Sequence, residues 1–470
     1  MSSTTFLLQS GIVLLHLPDD HVIAKRMDVL VRGNYIVAIE DNIPQTEEDT
    51  TVIDCSDTII SPGFIDTHRH LWQTQLKGRH GDDLLSDYIT RGYLAGSFYE
   101  ASDVQLGELS GALESIDAGT TTIVDQMHVA YSTAYINAAL EGLTASGIRV
   151  IFCPTPTRRV KQWQPDFFME EEQVPAWFLD TLQDINKRQK LDDGRISLGF
   201  GFDSFELPQE EIEKIFLQVR QDNLHLITSH HFHGQISFDA VSSLSKYMLM
   251  GPDILLSHCN GMTSEEKSSI LSTGAHISST PSTELQMGLG EPICFTDEMG
   301  KVCSLGVDCH SATSSSLVAE ARLALQSTRG QRNQTAIDTK STLSIKDKTI
   351  DAFNLITIKG ARAIGLRDKV GSIAVGKYAD LIIWDRISPG MLAAAEHDPV
   401  AAIMHHSSSR DVKSVMVNGT FRKHNGILLP VDLTGKPHLE WKGVAREVLK
   451  SRRRIEERIK NKQSVLQEKR

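Results

Sequence analysis

No apolar run in this chain approaches the roughly 20 residues that would cross a bilayer. The opening stretch MSSTTFLLQSGIVLLHLPDD has no basic start and is broken by Gln9, Ser10 and Gly11, so neither a membrane association nor a leader peptide is expected. Positive charge is in deficit as well. The formal net charge of -12 opposes broad attraction to nucleic acid or anionic lipid, and 6% aromatics offer little for base stacking. Cysteine is sparse: six among 470 residues, with no CxxC pair, fit a reducing, cytoplasmic setting. What remains is an ordinary globular composition, 40% hydrophobic and 23% charged, in a chain long enough to bury a large core. Small-molecule chemistry is the expected field of action.

Both ends of the chain read as short strands punctuated by turns. Near the start come IVLL, DVLVRGNYIVAIE and TVIDCSDTIISPG; far away, GSIAVGKYADLIIWD and VKSVMVNGTFRKHNGILLP repeat the character, with NG twice between apolar runs. A composite β-sandwich built from residues 1–60 and 366–435 is expected. Between them, residues 61–365 alternate strand-like runs with amphipathic stretches. The strand candidates are GFIDTHRH, TTTIVDQM, RVIFCPT, ISLGFGFDS, LHLITSHH, DILLSHCN, AHISST and VCSLGVDC; helical patterns include SDVQLGELSGALESIDAG, PAWFLDTLQDINKRQ, PQEEIEKIFLQVRQ and SFDAVSSLSKYMLM. Eight βα units are the number that closes a (β/α)8 barrel, the TIM type. Residues 436–470 end in a charged helical pattern, expected to be a solvated helix or tail.

Chemistry enters at the strand ends. In SPGFIDTHRHLWQTQLKG, His68 and His70 fall two apart, on the same face of a strand, with Arg69 opposite. At the carboxyl end of a barrel strand that face is the pocket. One such pair is weak evidence, but LHLITSH delivers His230, DILLSH delivers His258 and VCSLGVD delivers Asp308, each closing an apolar run. Imidazoles and a carboxylate converging from several strands suit a borderline cation that leaves one position open for water.

PGFIDTHRH, the strand-end His230 and His258, GVD at 306–308 and the tail IKGARAIGLRDKVGSIAVGKYADLIIWD together resemble the amidohydrolase superfamily. The likeness is to its mononuclear branch, which includes cytosine and guanine deaminases and triazine hydrolases, and it covers about residues 5–430. The resemblance implies a barrel beside a β-sandwich, and one divalent metal, Zn2+ foremost with Fe2+ or Mn2+ as alternatives, held by His68, His70, His230 and Asp308. It implies that Asp308 acts as general base and then general acid, with His258 beside the metal stabilising developing charge. A second metal in this family normally needs a lysine on the fourth strand, and RISLGFGFDSFE has none. The implied reaction is hydrolysis of a non-peptide carbon–nitrogen bond in a small cyclic or heteroaromatic compound.

One departure bears on the reaction. Deaminases of this branch carry HxxE after the fifth strand, where the glutamate protonates a ring nitrogen; SHHFHG instead places His233 three after His230. Either His233 is the proton shuttle of a deaminase, or the substrate is an amide, lactam or other compound that needs no such proton, the reading favoured here. A register with His231 as ligand would turn His230 away from the pocket. Trp72 and Gln73 on the first loop, His128 after the second strand and Glu284 on the seventh loop are candidates for substrate binding. Arg158, Arg159, Gln286 and His310 are weaker ones, while His405 and His406 read as structural. A lyase or isomerase reaction at the same metal is a lesser alternative. A non-catalytic scaffold would show gaps among the metal positions, and all five are filled. A homodimer is the expected assembly.

Overall fold

A computed structural model of the chain describes residues 4–45, 49–163, 166–188 and 191–467. Gln189, at the end of the helix expected from Pro175, and residues 468–470 of the charged terminal stretch lie outside them. The centre is a ring of parallel strands: Phe64–Arg69, Thr120–Met127, Arg149–Pro154, Ile196–Leu198 continuing as Phe200–Gly201, Ile227–His231, Ile254–His258, His276–Ser279 and Cys303–Leu305. Each falls within a stretch expected to be a strand. The fourth strand is interrupted at Gly199, its first part pairing with the third strand and its second part with the fifth. The ring closes where Arg69 bridges Asp308 and the Asp308 amide donates to the His68 carbonyl at 2.9 Å. Gly306 permits this approach, because a Cβ there would lie 2.6 Å from the His68 carbonyl oxygen.

Helices cover the outside. Ala101–Asp117, Ala176–Asn186 and Gln209–Gln221 occupy three of the expected stretches. The fourth stretch forms only Ala240–Lys246. Asp239 caps its start, accepting from the Ser242 amide at 3.1 Å, and Met248 turns left-handed at φ +55° just past its end. Among the described residues no helix is long and apolar enough to cross a membrane.

Strands from the two ends of the chain hydrogen-bond into one nine-stranded sheet. The NG pairs make its turns: Asn418 and Gly419, at φ +52° and +74°, join Val412–Val417 to Thr420–His424, and Asn425 and Gly426 join the latter to Ile427–Leu428. The expected sandwich thus takes the form of a single sheet curled on itself. Its long first strand, Thr5–His16, bulges between Leu8 and Gly11; it pairs with Thr50–Asp54 before the bulge and with Thr58–Pro62 after it. Phe6 and Phe421, on strands well separated in the sheet order, consequently meet edge to face at 5.2 Å. Leu8, Val13, Val29, Ile60, Leu381, Ile383 and Met416 fill the space between.

Two polar anchors fix the barrel to its surroundings. Arg149, at the start of the third barrel strand, donates to both Asp380 oxygens at 2.7 and 3.2 Å and to Asn418 at 2.9 Å. Its guanidinium lies 4.3 Å from the centre of the Tyr378 ring. The second anchor is the charged terminal stretch, which is the helix of the expected helix or tail but is docked along one side rather than fully solvated. It forms a helix, Trp441–Gln467, in which Ser451, Arg454 and Arg458 all donate to the buried Asp103 carboxylate, at 2.7, 2.9 and 2.7 Å. Gln75, on the first barrel loop, donates to Ser451 at 3.0 Å. The helix thereby ties down the loop that follows His70.

Candidate metal centre and its cavity

The first barrel strand carries His68 and His70 to its carboxyl end, where their rings lie 4.7 Å apart. Strand alternation sends Arg69 the other way, to Asp66 at 3.1 Å and to Ser315. The fifth strand brings the His230 ring to 4.9 Å from that of His68, and the sixth brings His258 to 5.5 Å from both. Asp308 follows the eighth strand, its Oδ1 3.0 Å from His70 Nε2 and 3.3 Å from His68 Nε2. Neither His258 nor Asp308 has ordinary strand backbone. They take φ +72° and +61°, left-handed angles that cost non-glycine residues on the order of 1–3 kcal/mol and cluster at functional sites. The turn aims both side chains inward.

Each imidazole has one nitrogen fixed by the protein. His70 Nδ1 donates to the Gln126 carbonyl at 2.7 Å. His68 Nδ1 meets Ser257 Oγ at 2.7 Å, and His258 Nδ1 meets Thr280 Oγ1 at 2.8 Å. His230 Nδ1 donates to Asp203 Oδ2 at 2.9 Å, while its amide donates to Asp203 Oδ1 at 2.8 Å and Gln126 Nε2 steadies the same carboxylate at 2.9 Å. All four Nε2 atoms are therefore left for the centre. Burial holds the His68 ring neutral, pushing its pKa down to about 3. Burial works against a charged His230 too, but the Asp203 carboxylate beside it outweighs that and raises its pKa.

These residues fit a divalent ion on a geometric ground. Because His70 Nδ1 carries the proton given to Gln126, its Nε2 presents a lone pair to a carboxylate oxygen at 3.0 Å. His68 Nε2 is buried, without a hydrogen-bond partner, 3.3 Å from the same oxygen. A lone pair facing a carboxylate oxygen, with a buried and unpartnered nitrogen beside it, calls for a cation between them, and metal bonds of about 2.0–2.2 Å space neighbouring ligand atoms in this way. His68, His70 and His230 offer ligand atoms within 4.8 Å of one another, as do His68, His258 and Asp308.

Above the centre is a cavity of about 140 Å³, walled by Leu85, Tyr88, Ile89, Tyr93, Phe232, Phe238, Met287 and Leu289, with His128, Asp203 and Cys309 at its base. The space is small and mostly apolar, suited to one flat ring. His128 lines the cavity beside His70, ring centres 4.2 Å apart and tilted by 42°.

The other candidates lie elsewhere. Trp72 is fully buried against Tyr99 in the core, not on the cavity wall. Gln73 sits one layer back; its amide donates to the Tyr88 hydroxyl at 2.6 Å and its carbonyl accepts from Ser311 at 2.8 Å. Glu284 is behind His258, accepting from Ser279 Oγ at 2.8 Å and the Thr280 amide at 2.7 Å, and burial pushes its carboxyl up to about 8. Arg159 holds the Ser97 carbonyl, Gln286 the His80 carbonyl, and His310 meets Thr74 at 2.9 Å. His405 meets Thr349 at 2.9 Å outside the barrel.

His233 requires a correction. The chain stays extended past His230, so alternation puts His230 and Phe232 toward the cavity and His231 and His233 away from it. His233 Nε2 is instead 2.8 Å from Glu266 Oε1 and does not line the cavity, so the proton-shuttle reading loses its geometry. Conversely, Asp203 was missed. Its signal was present: ISLGFGFD is an apolar run closed by a carboxylate, like the run that ends at Asp308.

The amidohydrolase family pattern matches residues 59–290 and 291–422. Among curated proteins, the chain is 24% identical over 450 residues to a 5'-deoxyadenosine deaminase of Methanobrevibacter smithii, covering 92% of this chain and 95% of the relative. It is 23% identical to a 5-methylthioadenosine/S-adenosylhomocysteine deaminase of Acetivibrio thermocellus, covering 89% and 93%. Among solved structures, it resembles a zinc-bound adenosine deaminase from Xanthomonas campestris with a TM-score of 0.76 at 17% identity, covering 96% of this chain and 98% of the other. A zinc complex of atrazine chlorohydrolase from Arthrobacter aurescens gives 0.76 at 19%, covering 95% and 100%.

Proposed function

The chain belongs to the amidohydrolase family and is a metal-dependent hydrolase of carbon–nitrogen bonds other than peptide bonds, and on that premise we propose that it removes the amino group from a small heteroaromatic ring. The observation that carries this is the convergence of four imidazoles and Asp308 beneath a cavity sized for one flat ring. Deaminases that align along nearly its whole length support the same reaction class.

His68, His70, His230 and Asp308 hold the ion in this reading. Imidazoles with one carboxylate favour zinc, with Fe2+ and Mn2+ as competitors. A divalent ion held by these residues would supply a water acidic enough to attack near neutral pH. Asp308 takes the proton of the attacking water and returns it to the departing nitrogen, so one carboxylate serves as base and then acid. His258 would accept from Thr280 Oγ1 at Nδ1 and so keep its proton on Nε2, donating it to the negative charge that builds on the attacked ring. Asp203 and Gln126 keep the His230 ring oriented. The aromatic and aliphatic walls align the substrate and exclude bulk water. Six unpaired, buried cysteines support action in a reducing compartment such as the cytosol.

Asp203→Asn is expected to weaken zinc binding by about 10- to 100-fold without abolishing it, because the ring that Asp203 steadies loses its anchor. Zinc titration of the chelator-stripped variant checks this, and unchanged affinity would remove Asp203 from the centre.

A second reading has one specific observation in its favour. The glutamate that deaminases of this branch place three residues after the fifth-strand histidine is His233 here, and it faces Glu266. A cyclic amide needs no ring-nitrogen proton, so its hydrolysis would tolerate that loss. The deciding experiment gives the zinc-loaded enzyme a panel of aminopurines and their nucleosides, aminopyrimidines, aminotriazines and cyclic amides. Ammonia release with exchange of NH2 for OH supports deamination. Ring opening of an amide without ammonia supports the second reading, and activity on neither class overturns both.

A further inference from the structure

A second set of metal-ligand side chains lies on the outer side of the strand end that carries His230. His231, His233, Asp239 and Glu266 each offer a ligand atom, all within 4.8 Å of one another. None of them lines the catalytic cavity. From this geometry we infer a second divalent-cation site, distinct from the catalytic centre, in which His231 Nε2, His233 Nε2 and a Glu266 oxygen bind a zinc-class ion and Asp239 or water completes the shell.

Three features carry the inference. His231 is fully buried, and its Nε2 has no hydrogen-bond partner although it points at Glu266 Oε1 from 3.8 Å. Leaving a buried imidazole nitrogen unsatisfied is costly unless something occupies the gap. His233 Nε2 lies 2.8 Å from the same oxygen, so the two distances bracket the roughly 3.3 Å that separates ligand atoms in a tetrahedral zinc site with bonds of 2.0–2.1 Å. Finally, the shell is supported from behind. Glu266 Oε2 accepts from the Thr263 amide at 2.7 Å in the capping box of the helix Ser264–Thr273, and Ser242 donates to Oε1 at 3.1 Å. Secured in this way, the carboxylate is a preorganised ligand. His233 and Asp239, the partly exposed members, give the ion a route from solvent.

Strand alternation gives such an ion a purpose. His230 and Phe232 face the cavity, and His231 and His233 occupy the intervening positions on the other side. An ion there staples the cavity wall to the helix that follows the sixth strand, fixing His230 and Phe232 from behind.

The test is zinc stoichiometry of the untagged full-length enzyme, stripped with chelator, titrated calorimetrically with Zn2+ and measured again after dialysis. Two equivalents are expected for the native chain. His233→Ala and, as a variant that keeps the shape of the cap, Glu266→Gln should each retain one, and His68→Ala should retain the other. The double variant His68→Ala/Glu266→Gln should bind none. A native enzyme that keeps one equivalent, lost on His68→Ala alone, would overturn the inference while leaving the catalytic centre intact. So would two equivalents that survive both His233→Ala and Glu266→Gln. A missing catalytic metal would instead appear as a stoichiometry insensitive to His68→Ala, so the two failures are separable.

Discussion

Asp308→Asn will lower kcat/KM by at least about 10³-fold, and His68→Ala will do the same while losing the catalytic ion. The amide keeps the shape and tolerates the left-handed backbone at position 308, but it cannot take a proton from water or return one to a leaving nitrogen. His68 contributes differently. In the proposed centre its Nε2, already 3.3 Å from Asp308 Oδ1 with no hydrogen bond of its own, is a ligand atom whose removal opens the coordination shell. The two losses should not multiply. Groups that act as a unit are strongly non-additive, so the double variant is expected to be about as slow as the worse single one. Steady-state rates on whichever substrate emerges from the panel, read beside metal content, check this. A variant of either residue within tenfold of the native rate would remove it from the mechanism.

The largest effect on stability is expected at Asp380. Arg149 and Asp380 are almost completely buried, 5% and 2% exposed, and form a two-pronged pair. Burial alone would lower the Arg149 pKa, but Asp380 more than compensates and raises it. Among the described residues, Asp380→Ala leaves that buried guanidinium the Asn418 side-chain carbonyl and the face of Tyr378. Breaking a buried pair from one side costs about 3–5 kcal/mol, to be read as a shift in the first urea transition. The double change Arg149→Met/Asp380→Leu removes the stranded charge and should recover much of that loss. If Asp380→Ala unfolds at the native midpoint, the pair does not join the barrel to the terminal sheet as its geometry indicates.

How much of this could be read without coordinates depended on which features have a period. Apolar runs closed by His230, His258 or Asp308 announce both a strand and the side chain at its end, because barrel chemistry gathers at that edge. Alternation decided between His230 and His231, and the NG pairs marked hairpins because both residues tolerate left-handed angles. Loops have no such period. The wall residues Tyr88, Tyr93 and Phe238 reach the cavity by chain paths that no repeat encodes, and Trp72, one residue from Gln73, turns into the core instead. His233 failed for a related reason: a motif read by counting three residues assumes a turn, and here the extended chain continued. In the terminal helix, high charge suggested solvation, since the sequence could not reveal that Asp103 would be buried in need of partners.

The left-handed backbone at His258 and Asp308 also limits how the enzyme can be engineered. Glycine at either position would relax the main chain and favour the folded state, yet it would delete a group that the proposed reaction uses. Selection for heat resistance alone will therefore tend to erase these two strand ends. A hardening programme should keep both residues fixed and seek its gains in the exposed helices and loops.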